Sequence, residues 1–123
     1  MKRLVASIGL ALMATPALAA AGDMSVAIFL AKADALRAKG PLALLSSDMN
    51  VLKTEGTAAG QAYRAQLAQE RVQGRPSSCP PQGTRISSDQ LLSHLRAYPA
   101  PARPRTTMRT AMADYFIKTF PCA

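Results

Sequence analysis

Two cysteines, Cys79 and Cys122, are the only thiols in this chain, and they bracket two predicted helices joined by a proline-rich run. The chain also opens with what reads as an export signal. A thiol pair in an exported protein is a cross-link before it is a catalytic or metal-binding pair, because oxidising compartments favour the disulfide. A Cys79–Cys122 bond closes a loop of 44 residues. Chain-entropy reasoning then predicts ~4 kcal/mol of stabilisation, comparable to the net stability of a small domain.

The export reading rests on residues 1–19. Lys2 and Arg3 form a charged start, Leu4 to Met13 a short apolar run, and Thr15-Pro16 a break. Ala17-Leu18-Ala19 supplies the small side chains a signal peptidase needs, with cleavage after Ala19 and Ala20 or Ala21 as alternatives. The apolar run is shorter than the ~20 residues that span a bilayer, so no stable membrane insertion is expected. The periplasm is the expected compartment and secretion the alternative. Residues 20–123 then make a single domain, with a helical half over 24–74 and a disulfide-bracketed half over 79–122. Loss of Lys2 and Arg3 lowers the formal charge from +8 to +6. A positive chain outside the cytoplasm favours anionic envelope polymers or acidic protein faces, and the compartment removes nucleic acid as a partner. A basic surface serving only solubility is the plain alternative.

The periodicity predicts an all-α fold, a small bundle of four main helices with one disulfide. The first helix runs from an N-cap at Ser25 to Lys39, with Val26, Phe29, Leu30, Ala33 and Leu36 at helical spacing. Gly40-Pro41 stops it, and Leu42 to Leu45 is expected to form one more turn that packs as a plug. A second helix, capped by Ser47 or Asp48, extends to Gln73 on an apolar face of Met49, Leu52, Ala59, Tyr63, Leu67 and Val72. Gly56 and Gly60, one turn apart, suggest close approach of another helix, since each costs about 1 kcal/mol of propensity otherwise. The Pro- and Gly-containing run over 74–83 is a stiff connector.

Ser87 and Gln90 form a capping box for the third helix, with Ile86 and Leu91 placed as a hydrophobic staple. Leu91, Leu92 and Leu95 face the core, and Tyr98-Pro99 ends the helix. A Pro-rich hinge over 99–104 leads to a fourth helix, capped by Thr106 or Thr107. Met108, Ala111, Met112, Tyr115, Phe116 and Thr119 form its stripe, and Pro121 stops it.

Catalytic chemistry finds little support. His94 is the single histidine, and Ser93 beside it points about 100° away on a helix, with Asp89 five residues off. An exposed or interface histidine is the simpler reading. Met108 and Met112 suit core packing better than copper. The seven acids are scattered singly, and no zinc pattern or phosphate loop appears, so no metal, cofactor or enzymatic activity is expected. Arg96, Arg103, Arg105 and Arg109 cluster around the proline run and are the candidate partner-binding residues, because a stiff loop edged by arginines suits recognition. A solvated basic edge is the alternative.

Cys79-Pro80-Pro81, the helix start Ser87-Ser88-Asp89-Gln90-Leu91-Leu92, Leu95-Arg96-Ala97-Tyr98-Pro99, Ala111-Met112-Ala113 and Phe120-Pro121-Cys122 together resemble the Rap/Tai-type immunity protein family. The resemblance covers Cys79 to Cys122; the family's further cysteines in the N-terminal half have no counterpart here. It implies a small, helical, periplasmic protein, a homodimer, that neutralises a peptidoglycan amidase effector of type VI secretion by blocking its active site. The alternative expectation is a structural or housekeeping envelope protein that holds anionic cell-wall or outer-membrane components through its basic face.

Overall fold

The protein, seen here as a computed structural model, is described over residues 20–123; the expected signal segment, residues 1–19, lies outside the described residues. The architecture is all-α, a small bundle of four main helices with one disulfide. Helix α1 spans Val26–Ala38, α2 Ser47–Val72, α3 Ser88–Arg96 and α4 Met108–Thr119. Two 3₁₀ segments, Gly40–Leu45 and Ala100–Arg105, join α1 to α2 and α3 to α4.

Helix α2 is the spine, about 39 Å long at 1.5 Å per residue. Its buried positions Glu55, Ala59, Tyr63 and Leu67 recur every four residues, and α4 packs along that line through Met108, Ala111, Met112 and Phe116. The Tyr63 and Phe116 rings stack with centroids 5.0 Å apart. Helix α1 adds Val26, Phe29 and Leu30, and α3 adds Leu95, which is fully buried. The methionine pair on α4 is therefore core, as its spacing predicts.

Local signals set the helix starts. The side chain of Ser25 accepts the Ile28 N–H, Thr107 accepts that of Thr110, and the Ser87–Gln90 capping box is complete. Helix α2 is capped by Ser46 rather than by Ser47 or Asp48, its side chain accepting the Asp48 N–H. The starts of α1 and α4 also complete each other. Val26 N donates to Thr106 O at 2.8 Å, Met108 N to Met24 O at 2.8 Å and Arg109 N to Gly22 O at 2.9 Å. Donors left orphaned at two helix N-termini are thus satisfied by the opposite chain, around one antiparallel bridge between Ser25 and Thr107. Gly22 makes this possible: it is buried, its φ is +97°, and a Cβ there would lie 3.5 Å from the Ala59 backbone nitrogen. The Met24 N–H goes to the Glu55 carboxylate at 2.7 Å. Glu55 is only 7 % exposed, and an acid so buried needs such a partner.

The connector after α2 is held by a polar chain. Glu70 accepts the Ser77 N–H at 2.9 Å and the Ser77 hydroxyl proton. Tyr63 Oη lies 2.8 Å from Ser77 Oγ and 2.6 Å from the fully buried Ser78 Oγ. One proton per hydroxyl fixes the order: Ser78 donates to Tyr63, Tyr63 to Ser77, and Ser77 to Glu70. Cys79 follows at once, its N–H donating to Phe120 O at 2.8 Å, and its sulfur is bonded to Cys122.

Four further expectations need correction. The Leu42–Leu45 turn is 3₁₀ and not a plug: Leu42, Leu44 and Leu45 are exposed and only Ala43 is buried. A 3₁₀ turn eclipses side chains three apart, so one small residue turns inward and the leucines face out. Val72 is exposed at the end of α2, beyond the reach of α4. The Pro-rich hinge is an ordered 3₁₀ segment packed on α1, because the fixed φ of proline suits that helix. Gly56 and Gly60 meet no helix closely. A Cβ at Gly60 would meet nothing within 4 Å, and one at Gly56 only Leu91 Cδ2 at 4.0 Å.

Two outcomes are expected from urea unfolding. Gly60→Ala should raise stability by about 1 kcal/mol, since helix propensity improves and nothing is displaced; a loss would reveal a contact at that face. Tyr63→Phe should lower stability by roughly 1–3 kcal/mol, because it strips Ser78 of its buried partner; an unchanged midpoint would count against the polar chain.

A cation-rimmed groove as the candidate functional site

Helices α2 and α3 make no Cα–Cα approach within 8 Å among the described residues. The connector over 74–87 sets α3 off from α2, and Gly56 and Gly60 present no side chains to fill the gap. What remains is an open groove of about 770 Å³. Phe29, Met112 and Phe116 line it from the core, α3 contributes Leu91 and Leu92, and α2 runs along its length from Met49 to Arg64. Leu91 and Leu92 are therefore half-buried groove residues, while Leu95 alone of the three reaches the interior.

The polar lining carries one sign of charge. Arg37, Lys53, Arg64 and Arg85 line the groove, and among the described residues no carboxylate does. A second cavity of about 720 Å³ adjoins it, sharing Arg64, Arg85 and Phe116 and adding Arg71. Arg64 is oriented by a bond from Nη2 to Thr84 O at 2.9 Å. Among the described residues, none of these five cations has a carboxylate within ion-pair distance. A one-signed trough with apolar walls focuses potential and draws anionic partners.

The acids are occupied elsewhere. Asp34 pairs with Arg96 at 2.8 Å, Asp48 with Lys32 at 3.3 Å and Asp23 with Arg109 at 3.4 Å. Glu55 and Glu70 hold the N-terminal segment and the connector, Asp114 accepts the Tyr98 hydroxyl, and Asp89 sits in the first turn of α3. The Arg96 guanidinium holds the Asp34 carboxyl below its ordinary value.

None of the four arginines singled out in the sequence lines the groove. Arg96 is paired with Asp34. Arg103 folds back, its Nε donating to Tyr98 O at 3.0 Å and its Nη2 to Arg96 O at 2.8 Å. Arg109 is paired with Asp23, and Arg105 is exposed at the end of the second 3₁₀ segment. Three of the four thus brace the chain around the proline run, on a face apart from the groove.

His94 is half-buried, not exposed. Its Nε2–H donates to Ala111 O at 2.8 Å, and the ring meets Tyr98 and Tyr115 edge-on with centroids 5.2 and 5.4 Å away. The Tyr98 hydroxyl donates to Asp114, and burial, then that carboxylate, raises its pKa well above the ordinary value. This cluster pins the end of α3 onto α4. No group of three or more His, Cys, Asp or Glu residues suited to a metal occurs among the described residues, and no described helix is long and apolar enough to cross a membrane.

The groove cations escaped sequence reading although a signal was present. Lys53, Gly56, Thr57, Gly60, Gln61 and Arg64 follow i, i+3, i+4, i+7, i+8, i+11, one continuous helix face. That stripe puts small and basic residues on one face, and the distance to α3 decides whether the face is covered. Comparison with protein-family models, with curated proteins and with solved structures finds no match to the chain.

The connector that flanks the site should loosen in acid. Glu70 is held below its ordinary 4.5, first by the Ser77 hydroxyl, then by the Gln66 amide and the Ser77 N–H. A carboxyl depressed by folding contributes stability that is complete above its unfolded value and is lost as pH falls through the folded one. Urea unfolding at pH 6 and pH 3 should therefore show a larger loss in the wild type than in Glu70→Gln. Equal losses would remove Glu70 from the acid response.

Proposed function

We propose that the protein is an exported, non-catalytic binding protein of Rap/Tai type that neutralises a peptidoglycan amidase effector by covering its active site. The periplasm is its proposed compartment, in keeping with the Cys79–Cys122 disulfide. The observation that carries the binding reading is the groove itself: apolar walls, cations without acids, and an open mouth. The amidase comes from the resemblance of residues 79–122. Those landmarks have coherent work in the fold. Tyr98 ties α3 to α4, Phe120 lies against Phe116 with centroids 5.9 Å apart, and Cys122 closes the loop.

The mature chain, co-expressed with a periplasmic amidase effector encoded beside it, should rescue growth and co-purify as a stable complex. Absence of both would sink the inhibitor reading. A second reading, capture of anionic wall or outer-membrane polymers, is favoured by the Arg64, Arg71 and Arg85 group around the adjoining cavity. It predicts binding to purified sacculi that falls steeply with salt. Salt-insensitive or absent binding removes it.

A further inference from the structure

Cations line the groove along its whole length. Arg37 lies at the end of α1, beside the Gly40–Leu45 segment that leads into α2, and Lys53 is in the first half of α2. Arg64 and Arg85 mark the other end, where the adjoining cavity adds Arg71. Along α2, Lys53 and Arg64 are separated by about 16 Å, and Lys53 and Arg71 by about 27 Å. The apolar floor runs between them.

This distribution discriminates among anionic occupants. A fatty acid or phospholipid concentrates its charge at one end and needs a closed apolar sleeve for the rest. Here both ends are cationic, the trough is open, and Thr57, Gln61, Ser87 and Ser88 set hydroxyl and amide groups among the apolar walls. Repeated negative charges flanking apolar anchors, on a backbone that can use those polar groups, is the chemistry of an acidic peptide. The missing side chains at Gly56 and Gly60 let such a segment lie against the α2 backbone, with open space above Gly60.

We infer that this groove is the docking site for an acidic, apolar-anchored peptide segment of the partner protein, laid along α2 from the Arg37–Lys53 end to the Arg64–Arg85 end. The inference rests on the protein-binding reading above and names the partner's chemistry. The span from Met49 to Arg64, about 22 Å, accommodates a helix of about 15 residues or about seven residues of extended chain. Its apolar side chains would sit over the half-buried Leu52, Leu91 and Leu92, and its carboxylates on the groove cations, which steer its approach.

The test uses the mature chain, residues 20–123, and a fluorescein-labelled 15-residue amphipathic peptide with leucines at i, i+3, i+4 spacing flanked by glutamates. Companion probes are the same peptide with every glutamate replaced by lysine, oleate, and vesicles of anionic phospholipid. Anisotropy should report binding of the glutamate peptide, at least tenfold weaker in Gly60→Trp and in Lys53→Glu combined with Arg85→Glu, and unchanged in Lys118→Glu, an exposed position outside both cavities. Gly60→Trp fills the trough; the charge pair keeps the test open should that variant not fold. No binding of the glutamate peptide, equal binding of the lysine peptide, or oleate or vesicles taking its place would each overturn the inference. Pull-down of an amidase effector separates the two levels. An effector retained by Gly60→Trp leaves the inhibitor reading standing and removes the groove as its docking site. Peptide binding in the groove without effector binding does the reverse.

Discussion

Tyr63 stands where α2, α4 and the connector to Cys79 meet. Its ring stacks on Phe116 and joins α2 to α4; its hydroxyl, at the other end, joins α2 to the connector through Ser77 and Ser78. An aromatic with an apolar body and a polar tip serves both purposes at one buried position. The consequences run outward from it. With Ser77 and Ser78 held, Cys79 lies against the Phe120 carbonyl and within bonding reach of Cys122, their Cα atoms 5.0 Å apart. Cys122 ties the end of α4 back to the connector, close to Phe116, which lines both cavities.

Charge is allotted with the same economy. Seven acids serve the whole chain, and six of them have internal partners that brace loops or helix ends. The exposed ion pairs are screened by solvent, so their stability role is small. Their larger effect is one of placement. Of the four arginines around the proline run, Arg96 and Arg109 are paired and Arg103 is folded back, while those along the groove have no carboxylate within ion-pair distance among the described residues. An overall positive charge becomes a local one, set against apolar walls, where it acts on a partner rather than on solvent.

Helix identity was legible because it is local. Capping residues Ser25, Ser87 and Thr107 act within four residues of themselves, and the stripes of α2 and α4 are periodic over many turns. The disulfide was legible because only one pairing exists. The misread parts all depended on what lies opposite. Leu42 to Leu45 looks like a plug until the short 3₁₀ turn is seen to offer it no facing surface. Gly56 and Gly60 look like a helix contact until α3 is found standing off from α2. Arg96 and Arg109 take partners far away in sequence, Asp34 and Asp23, which only the fold brings to them.

The sequence by itself determined the four helices, the caps of α1 and α3, the covalent closure of the C-terminal half and the excess of positive charge. Each follows from neighbours along the chain or from composition. Tertiary structure alone decided where the charge remains uncompensated and which apolar side chains stay open to a partner. Those depend on the gap between α2 and α3 and on ion pairs across as many as 62 residues, such as Arg96 with Asp34. No local pattern encodes such a gap, because it is set by how far two packed helices are held apart.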